Sequence, residues 1–477
     1  MAFGILALLL AQENVSFEPK LLVRGVPNTN SGGWGIAVSP DGRSGVLSGS
    51  EAFWGDIKLP GTPMDVVQFL ADGRPVARFA GQNGWRIFTG TEVSAEVVSP
   101  KPAVLSRNRQ VVGYISASGK ESYGAVIAGK AVEGTYLDAW DLVLSPDGKR
   151  WAMVVRERGA DKTLYDHAVV DGVKGPPIRG ISKLQFSDDG SSVGYASQTT
   201  AVIDGETHGP FTHVDFALGH TGVGPTLWWR QKGKWSILTG GKSREYDRID
   251  KVRVSEDGRV AAFVAVTADG KSRVVIGDKE GPAYAEIGDL VMSRDGKRVL
   301  YAAKEDPGGR WLVVDGDRPE SARFGLRIDR LTVAPGGGGY AYLGVTFKEP
   351  SVLMANGVRG PAGVLPTHEF VVSPDGKTLA FVGLMKSERI LYHAGKPGNK
   401  VGEINSLTLS ADGKAVAYRL QNSGMFVNRT QQLPEDNLTV VNRVGPPVFS
   451  PDGKKVAYAA FNSGGNRGLH WKVAPVK

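Results

Sequence analysis

Three histidines near the middle of the chain are its best candidates for metal or acid–base chemistry. His208, His213 and His220 fall within thirteen residues, and Asp215 lies between them. Imidazole and carboxylate groups hold zinc when several of them share one face of an element. Spacings of five and seven residues do not give one strand face, and no His-Glu-x-x-His motif occurs. We therefore expect no metal site and no cofactor, and we interpret the histidines as loop or edge residues of the fifth repeat.

Covalent catalysis has equally little support in the sequence. Cysteine is absent, which excludes thiolate nucleophiles, thiolate zinc sites and disulfides. A recurring Ser-x-Asp-Gly pattern supplies many carboxylates, but their spacing is that of a turn and not of a calcium loop. We therefore expect that the chain is not an enzyme.

Basic and aromatic residues at predicted strand ends are candidates for binding. Arg156, Arg158, Lys304 and Arg310 flank connections that follow the second strand of a repeat, and binding residues concentrate on such loops. Trp228 is followed by a second tryptophan and an arginine. Adjacent strand residues point to opposite faces, so one of the two rings is expected to be less buried. We predict that these five residues contribute to a partner site.

The elements that position these residues come from a repeated turn, Ser-x-Asp-Gly-Lys/Arg. Clear copies begin at Ser39, Ser145, Ser373 and Ser450, and looser copies begin at Ser187, Ser255, Ser293 and Ser410. A further copy is centred on Asp72, and degenerate copies at Arg107, His220 and Pro335 complete the series of twelve. The turns recur every 31 to 42 residues along almost the whole chain. A period of this length indicates a repeat architecture, here of about twelve copies.

One repeat, residues 289–324, shows how each copy is built. Short apolar runs are bounded by Gly, Pro or Asp, which is typical of strands. The first turn predicts a three-residue hairpin whose glycine has a left-handed conformation. A second turn, Asp-Gly after a Val-Val run, predicts another hairpin, and Gly-Pro often follows it, as on an outer edge strand. The apolar runs do not alternate, so both faces of the four-stranded antiparallel sheet are expected to be buried.

The succession of an apolar strand, Ser-Pro-Asp-Gly-Lys and then Val/Leu-Ala-Tyr/Phe resembles the WD40-like β-propeller repeat of TolB and related bacterial proteins. The resemblance covers residues 20–477. It implies a propeller fold but no particular activity, because such propellers serve as scaffolds, as sensors and as gating domains of peptidases. It carries no catalytic residues over to this chain.

We predict an all-β fold, a β-propeller of about twelve four-stranded blades. Two tandem six-bladed rings are the first choice, since one ring usually has four to eight blades. They would span residues 12–240 and 241–477, with the boundary at Gly240-Gly241. Seven plus five blades, or one very wide ring, are the alternatives. Residues 17–23 are expected to supply the fourth strand of the last blade.

The termini and the charge indicate where the protein acts. Residues 1–11 contain a nine-residue apolar run before a Leu-x-Ala site, which predicts a signal peptide and a periplasmic or secreted protein. The run lacks the basic residues that usually precede it, so a cytoplasmic location is the alternative. The net charge is +8, but no run of five basic residues occurs, so we expect no nucleic acid partner. No apolar stretch reaches the length of a membrane span.

The function we predict is that of an exported scaffold that binds a protein or peptide through loops on one rim. The loops after the second strand vary most in length and charge, namely 156–163, 268–273, 304–310, 346–350 and 386–389. In a four-stranded meander they share a face with the connections between blades, so we expect the partner site on that face. A propeller lyase or hydrolase with a site at the central channel is one alternative. Recognition of an acidic glycan, driven by the positive charge, is another.

Overall fold

The structure is a computed structural model. It describes residues 102–420 except 120, 348 and 349, residues 57–94 except 62, 64–66, 83 and 91, and short segments between 20 and 54 and between 424 and 475. No helix occurs in these residues, and none could therefore cross a membrane. The predicted signal peptide, the Ser39 turn and most of the Ser450 turn lie outside the described residues.

The described residues form 48 strands. The first twelve are β1 Lys20–Arg24, β2 Gly35–Val38, β3 Gly45–Ser48, β4 Ala52–Trp54, β5 Ile57–Lys58, β6 Gln68–Phe69, β7 Pro75–Ala80, β8 Trp85–Thr89, β9 Val104–Leu105, β10 Val112–Gly119, β11 Ser122–Ile127 and β12 Lys130–Tyr136. The next sixteen are β13 Asp138–Leu144, β14 Trp151–Arg158, β15 Leu164–Val170, β16 Val173–Lys174, β17 Lys183–Phe186, β18 Val193–Ala196, β19 Ala201–Ile203, β20 Glu206–His208, β21 His213–Ala217, β22 Thr226–Gln231, β23 Lys234–Thr239, β24 Lys242–Tyr246, β25 Arg248–Val254, β26 Ala261–Val266, β27 Ser272–Ile276 and β28 Lys279–Glu280. The last twenty are β29 Glu286–Met292, β30 Val299–Lys304, β31 Trp311–Asp315, β32 Arg318–Pro319, β33 Arg327–Val333, β34 Tyr340–Val345, β35 Val352–Ala355, β36 Val358–Arg359, β37 Leu365–Val372, β38 Leu379–Met385, β39 Glu388–His393, β40 Lys396–Lys400, β41 Ile404–Leu409, β42 Val416–Leu420, β43 Gly424–Val427, β44 Thr430–Gln432, β45 Leu438–Thr439, β46 Val448–Phe449, β47 Lys455–Asn462 and β48 Gly468–Pro475.

These strands pair into antiparallel sheets, ten of them four-stranded in simple chain order. We call the sheets blades and number them along the chain: blade 1 is β2–β5, blade 2 is β6–β8, blade 3 is β9–β12, blade 4 is β13–β16, and each later set of four strands follows to blade 11, β41–β44. Blade 12 contains β45–β48 and β1. The protein is therefore an all-β, multi-blade propeller, as the turn repeat predicted.

The last blade takes a strand from the other end of the chain, as predicted. Strand β1 pairs antiparallel with β48, so that Lys20 faces Trp471 and Arg24 faces Gly468. The final repeat supplies no strand after β48 within the described residues, and the N-terminal strand completes the sheet. This pairing joins the two ends of the chain through main-chain hydrogen bonds.

The chain forms two compact units. One contains residues 136–400, which include blades 4 to 10, and the other contains residues 1–135 together with 401–477. Gly240 and Gly241, where a ring boundary was predicted, form the tight turn between β23 and β24 of blade 6. The number of rings and the blades in each stay a prediction.

Within residues 136–400, consecutive blades approach each other mainly through their first strands, such as β13 with β17, β25 with β29, and β29 with β33. The fourth strands β16, β28, β32 and β36 are exposed along their length. First strands therefore form the inner edges of the blades and fourth strands the outer edges. Between blades lie apolar clusters, and the second strands are almost completely buried, for example β26 and β30.

The repeated motif folds into a turn closed by its own side chains. In blade 4 the Ser145 hydroxyl donates to Asp147 Oδ1 at 2.7 Å, and the same oxygen accepts the Lys149 N–H at 3.0 Å. The Arg150 N–H donates to Ser145 Oγ at 2.9 Å. Gly148 has φ 76°, as predicted. Each member of the motif therefore satisfies a polar group of the turn, and its role is structural.

The loop is one residue longer than predicted. The Ser145 N–H donates to the Arg150 carbonyl at 2.9 Å, so the last hydrogen bond of the hairpin encloses four residues, 146–149, instead of three. The Gly148 N–H also donates to the Ser145 carbonyl at 2.9 Å. The extra residue lets one aspartate accept both the serine hydroxyl and the N–H two residues after it. In blade 11 the equivalent donors, the Ser410 hydroxyl and the Lys414 N–H, lower the pKa of Asp412 to about 2.

The second hairpin is also present as predicted. In blade 4 its central residues Asp171 and Gly172 have φ of 49° and 86°, and in blade 5 Asp204 and Gly205 have 50° and 88°. Two successive positive φ values define the type I′ turn, which suits the twist of a two-residue hairpin. The turns before the second and fourth strands therefore lie at one end of each blade, which we call the Asp-Gly face. The opposite end, the crossing face, carries the loops after the second strand and the connections to the next blade.

The glycine of the first turn also packs on the preceding blade. A Cβ added to Gly190 of blade 5 would lie 3.2 Å from Ser145 Cβ of blade 4. A Cβ added to Gly376 of blade 10 would lie only 2.0 Å from the Gly339 backbone nitrogen of blade 9. Neighbouring first turns are thus stacked closely enough that these positions have little or no room for a side chain.

Candidate functional site

The two predicted binding residues of blade 4, Arg156 and Arg158, differ in the contacts and exposure of their side chains. Arg156, two residues before the end of β14, donates through Nε to Asp166 Oδ1 at 2.7 Å, and its guanidinium lies 5.0 Å from the Trp140 ring centre. The hydrogen bond to Asp166 raises the pKa of Arg156. Asp166 is buried and also accepts the Gly180 N–H at 2.8 Å. Arg156 is therefore part of the framework of the crossing face, whereas Arg158 is exposed.

The other predicted residues lie on blades 6 and 8. Lys304 is half-buried with Nζ 6.0 Å from the Trp311 ring centre, and Arg310 is exposed just before β31. Trp228 is half-buried on β22, with Lys183 Nζ 5.7 Å from its ring centre. The structure places the five predicted residues on three non-adjacent blades, so it does not bring them together. Their role in binding stays a prediction.

The three histidines do not converge either. His208 ends the outer strand of blade 5, His213 begins the inner strand of blade 6, and His220 lies in the first turn of blade 6. Two of the three therefore belong to the sixth sheet and not to the fifth. His213 makes an edge contact with Trp235, with ring centres 5.3 Å apart. Among the described residues, no group of three or more His, Asp or Glu side chains is placed to hold a metal ion.

One serine matches the Gly-x-Ser-x-Gly spacing of a hydrolase nucleophile, namely Ser192 between Gly190 and Gly194. It lies at the end of the first turn of blade 5, where its N–H donates to Ser187 Oγ at 2.9 Å. A nucleophile elbow needs a strand followed by a helix, and here strand β18 follows. The match is therefore a hairpin turn.

The connections between blades show a pattern that points to an open site. In blades 4, 7 and 8 the chain leaves the fourth strand and then pairs once more with the start of the third strand. The paired residues are Asp166 with Ile178, Ser272 with Tyr284, and Trp311 with Phe324, each joined by two backbone hydrogen bonds of 2.7 to 3.0 Å. This pair closes the outer edge of the blade at the crossing face, and the side chain from the connection is buried.

Blade 9 lacks this closing pair. The equivalent third-strand residue of blade 9 is Ser351. It lies three residues before Met354, and Met354 pairs with Arg359 at the end of β36. The Gly360 N–H still donates to the Leu353 carbonyl at 2.8 Å, but the chain then turns at 361–363, where Gly363 has φ 74°. In the described part of the chain neither Ser351 nor Val364 makes a backbone hydrogen bond. The outer edge of blade 9 is therefore open.

A cavity occupies the place of the missing pair. Its volume is about 230 Å³, and its lining includes Pro350, Ser351 and Leu365 at the crossing-face ends of the strands. Most of the lining is apolar; the lining residues are Pro350, Ser351, Val352, Leu353, Arg359, Gly360, Pro361, Ala362, Gly363, Val364, Leu365, Pro366 and Phe381. Arg359 is the only ionisable residue in this lining. We call this site the blade 9 groove.

Exposed apolar side chains are concentrated in and next to blade 9. Eight large hydrophobic residues are exposed in the described structure, and four of them lie in blade 9, in the connection that precedes it or at the first residue of β37. They are Leu326, Phe347, Val358 and Leu365, with Phe347 the most exposed at 75%. The Phe347 ring packs over Gly325, where an added Cβ would lie 3.1 Å from its Cδ2. Because exposed apolar side chains are otherwise scattered singly, this concentration marks a surface suited to binding.

A second feature is a set of charges on the inner strands of blades 4 to 10. Seven residues before the left-handed glycine of its first turn, every one of these blades carries an ionisable residue, and the sign of that residue alternates from blade to blade. The seven residues are Asp141, Lys183, Asp215, Lys251, Asp289, Arg330 and Glu369. We call them the inner-edge charges.

Each cation of this set reaches the next blade. Lys183 Nζ lies 2.5 Å from Asp215 Oδ1, Lys251 Nζ lies 3.1 Å from the Ile287 carbonyl oxygen, and the Arg330 guanidinium lies 4.7 Å from the Phe370 ring centre. Asp141, Lys251 and Arg330 sit in β-bulges with φ of 51° to 54°. This conformation is uncommon for residues other than glycine, and a bulge re-aims a side chain. The three cations therefore each contact the following blade within residues 136–400.

Comparisons with known proteins add little about function. No protein-family model matches the chain, and no curated protein matches it. Among solved structures, one described as the eukaryotic initiation factor is 12% identical with a TM-score of 0.37, and covers 68% of this chain and 94% of that one. Another, oligogalacturonate lyase in complex with manganese, is 15% identical with a TM-score of 0.26, and covers 71% of this chain and 98% of that one. At these identities and scores neither likeness bears on what this chain does.

Proposed function

We propose that this chain is an exported bacterial scaffold of the WD40-like, TolB-type group and that it binds a protein partner through the crossing face of blade 9. Two observations support this proposal: the exposed apolar residues Leu326, Phe347 and Leu365 concentrate at the crossing face of blade 9 and at the start of β37, and Leu365 lines an open apolar groove. Apolar side chains lose their unfavourable contact with water when a partner covers them. A protein partner supplies the apolar surface that can do this, and a charged polysaccharide does not.

The ion pairs on this face give less support to an acidic glycan as the partner. Arg323 is paired with Glu305 at 2.9 Å, and Arg327 is paired with Asp329 at 2.7 Å. A polyanion binds best to a continuous row of cations, and these arginines already face carboxylates. Glycan binding and a lyase or hydrolase activity remain alternatives to the proposal.

The test compares two serine substitutions of equally exposed apolar residues. Phe347→Ser removes the exposed ring in the loop between β34 and β35 on the crossing face of blade 9, and Val173→Ser removes a side chain that is 72% exposed on the outer strand of blade 4. Each variant is used to capture partners from the periplasmic and culture fractions, and its thermal melting is measured in parallel. Because both side chains are in solvent, neither change should shift the melting temperature by more than about 1–2 °C.

We expect Phe347→Ser to lose a captured protein that the wild type and Val173→Ser retain. Equal capture by all three proteins would show that the partner site lies elsewhere. Capture of an acidic polysaccharide that survives Phe347→Ser would favour the glycan alternative instead.

A further inference from the structure

The blade 9 groove differs from an ordinary apolar cleft because main-chain groups line it. In blades 4, 7 and 8 the N–H and C=O of the third-strand residue are both bonded to an extended segment. The corresponding residue in blade 9, Ser351, has no such partner within the described structure. A partly buried backbone N–H and C=O that lack partners are satisfied when another extended chain lies beside them.

The side chains of the groove fit the same kind of ligand. An extended peptide places alternate side chains on opposite faces, so one face can enter the apolar lining formed by Val352, Pro361 and Val364. Arg359 is exposed at the end of β36, and it gives the groove a positive charge. An acidic side chain on the bound peptide would lie in a favourable field there.

We propose that the blade 9 groove binds an extended segment of the protein partner by strand addition at Ser351, with apolar side chains in the cavity and a carboxylate next to Arg359. This inference rests on the proposed function, because it names the chemistry by which that partner is recognised. Blades 4, 7 and 8 show the geometry of the occupied state. Main-chain hydrogen bonds then give affinity, and the pockets for alternate side chains give specificity.

The test uses a defined peptide instead of the unidentified partner. The probe is a fluorescein-labelled heptapeptide of alternating valine and threonine with a central aspartate, and its binding to the full chain is measured by fluorescence anisotropy. One control peptide has alternate backbone amides N-methylated, which removes hydrogen-bond donors without removing side chains. A second control replaces the aspartate with lysine. Arg359→Gln tests the groove, and Lys174→Gln is the matched variant, since Lys174 ends the fourth strand of blade 4, whose closing pair is formed.

We expect each control peptide to bind about tenfold more weakly than the probe, the loss expected from one or two hydrogen bonds or one charge contact. Arg359→Gln should weaken the probe to a similar extent, and Lys174→Gln should leave its affinity unchanged. Hydrogen exchange measured by mass spectrometry should slow in residues 350–365 when the probe is bound.

Equal binding of the N-methylated peptide would overturn strand addition, and so would unchanged exchange in residues 350–365. An equal loss in Arg359→Gln and Lys174→Gln would show that general charge attraction is responsible. The two proposals fail separately: if Phe347→Ser abolishes partner capture while the probe does not bind, the partner site stands and strand addition is wrong. If the probe binds but Phe347→Ser leaves capture unchanged, the groove binds peptides and the proposed partner site is wrong.

Discussion

Replacing the turn glycines by alanine separates two reasons why glycine is needed there. Gly172, Gly190 and Gly376 all have positive φ, between 73° and 86°. Their surroundings differ. A Cβ on Gly172 would meet nothing within 4 Å, one on Gly190 would lie 3.2 Å from Ser145 Cβ, and one on Gly376 would lie 2.0 Å from the Gly339 nitrogen.

The expected loss of stability follows from these distances. Alanine in the left-handed region costs roughly 1–2 kcal/mol, and this term is common to all three positions. At Gly190 the neighbouring side chain has to shift by a few tenths of an ångström, which adds a small amount. At Gly376 the clash is with backbone, and overpacking of this kind adds roughly 1–3 kcal/mol. We therefore expect destabilisation in the order Gly376→Ala, Gly190→Ala, Gly172→Ala, with about a twofold difference between the extremes.

Thermal melting followed by circular dichroism measures this order. One kcal/mol corresponds to a shift of roughly 2–4 °C for a cooperative unit of 150–250 residues, so the difference between Gly172→Ala and Gly376→Ala is well within reach. Equal shifts for these two variants would refute the idea that the turns of adjacent blades are in contact. No shift in any variant would show that the glycines are not left-handed.

Three further predictions concern the fold, the turns and the predicted binding arginines. The circular dichroism spectrum should show mostly strand, and a helical content above about a quarter would contradict the propeller. Because the pKa of Asp412 is lower in the folded protein than its unfolded value of 3.8, the charged carboxylate stabilises the fold above pH 3.8, and this contribution disappears as the pH falls to about 2. Asp412→Ala should therefore have a lower melting temperature than the wild type at pH 7. The difference in melting temperature should narrow between pH 4 and pH 2. Arg156→Ala should lower stability by roughly 1–2 kcal/mol because it leaves the buried Asp166 without its cation. Arg158→Ala and Arg310→Ala should leave the melting temperature unchanged. If either variant loses partner capture, the replaced arginine belongs to the partner site; if capture is retained, it does not.

The fold could be predicted from the sequence because each repeat contains its own turn chemistry. Ser145, Asp147 and Gly148 satisfy each other locally, so the hairpin does not depend on distant residues. The Asp-Gly pair at Asp171 and Gly172 fixes the second hairpin in the same way. The correct length of the first loop follows when the hydrogen bonds of the motif are also considered, because one aspartate oxygen has to accept two donors.

The candidate site could not be predicted in the same way, since it depends on a pairing that does not form. The sequence predicts residues 346–350 as a variable loop. Whether Ser351 pairs with the connection to the next blade, however, depends on where the chain turns at 361–363. Two signals in the sequence bear on this: Pro350 precedes the third strand, and a Gly-Pro-Ala-Gly segment follows the fourth. Arg156 was predicted to bind a partner, but its side chain is hydrogen-bonded to the buried Asp166, ten residues further along the chain. A basic residue beside a loop can therefore have a structural role that the sequence alone does not reveal.

The alternating inner-edge charges have a consequence for how a chain of this kind can change in length. Removing one blade from the series would bring two residues of the same sign into neighbouring positions, for instance Asp215 and Asp289 if blade 7 were lost. Like charges at adjacent positions are destabilising, whereas opposite charges attract. Removing or inserting two consecutive blades keeps the signs in order. We therefore expect the deletion or duplication of two consecutive blades within residues 136–400 to be tolerated better than the deletion or duplication of one.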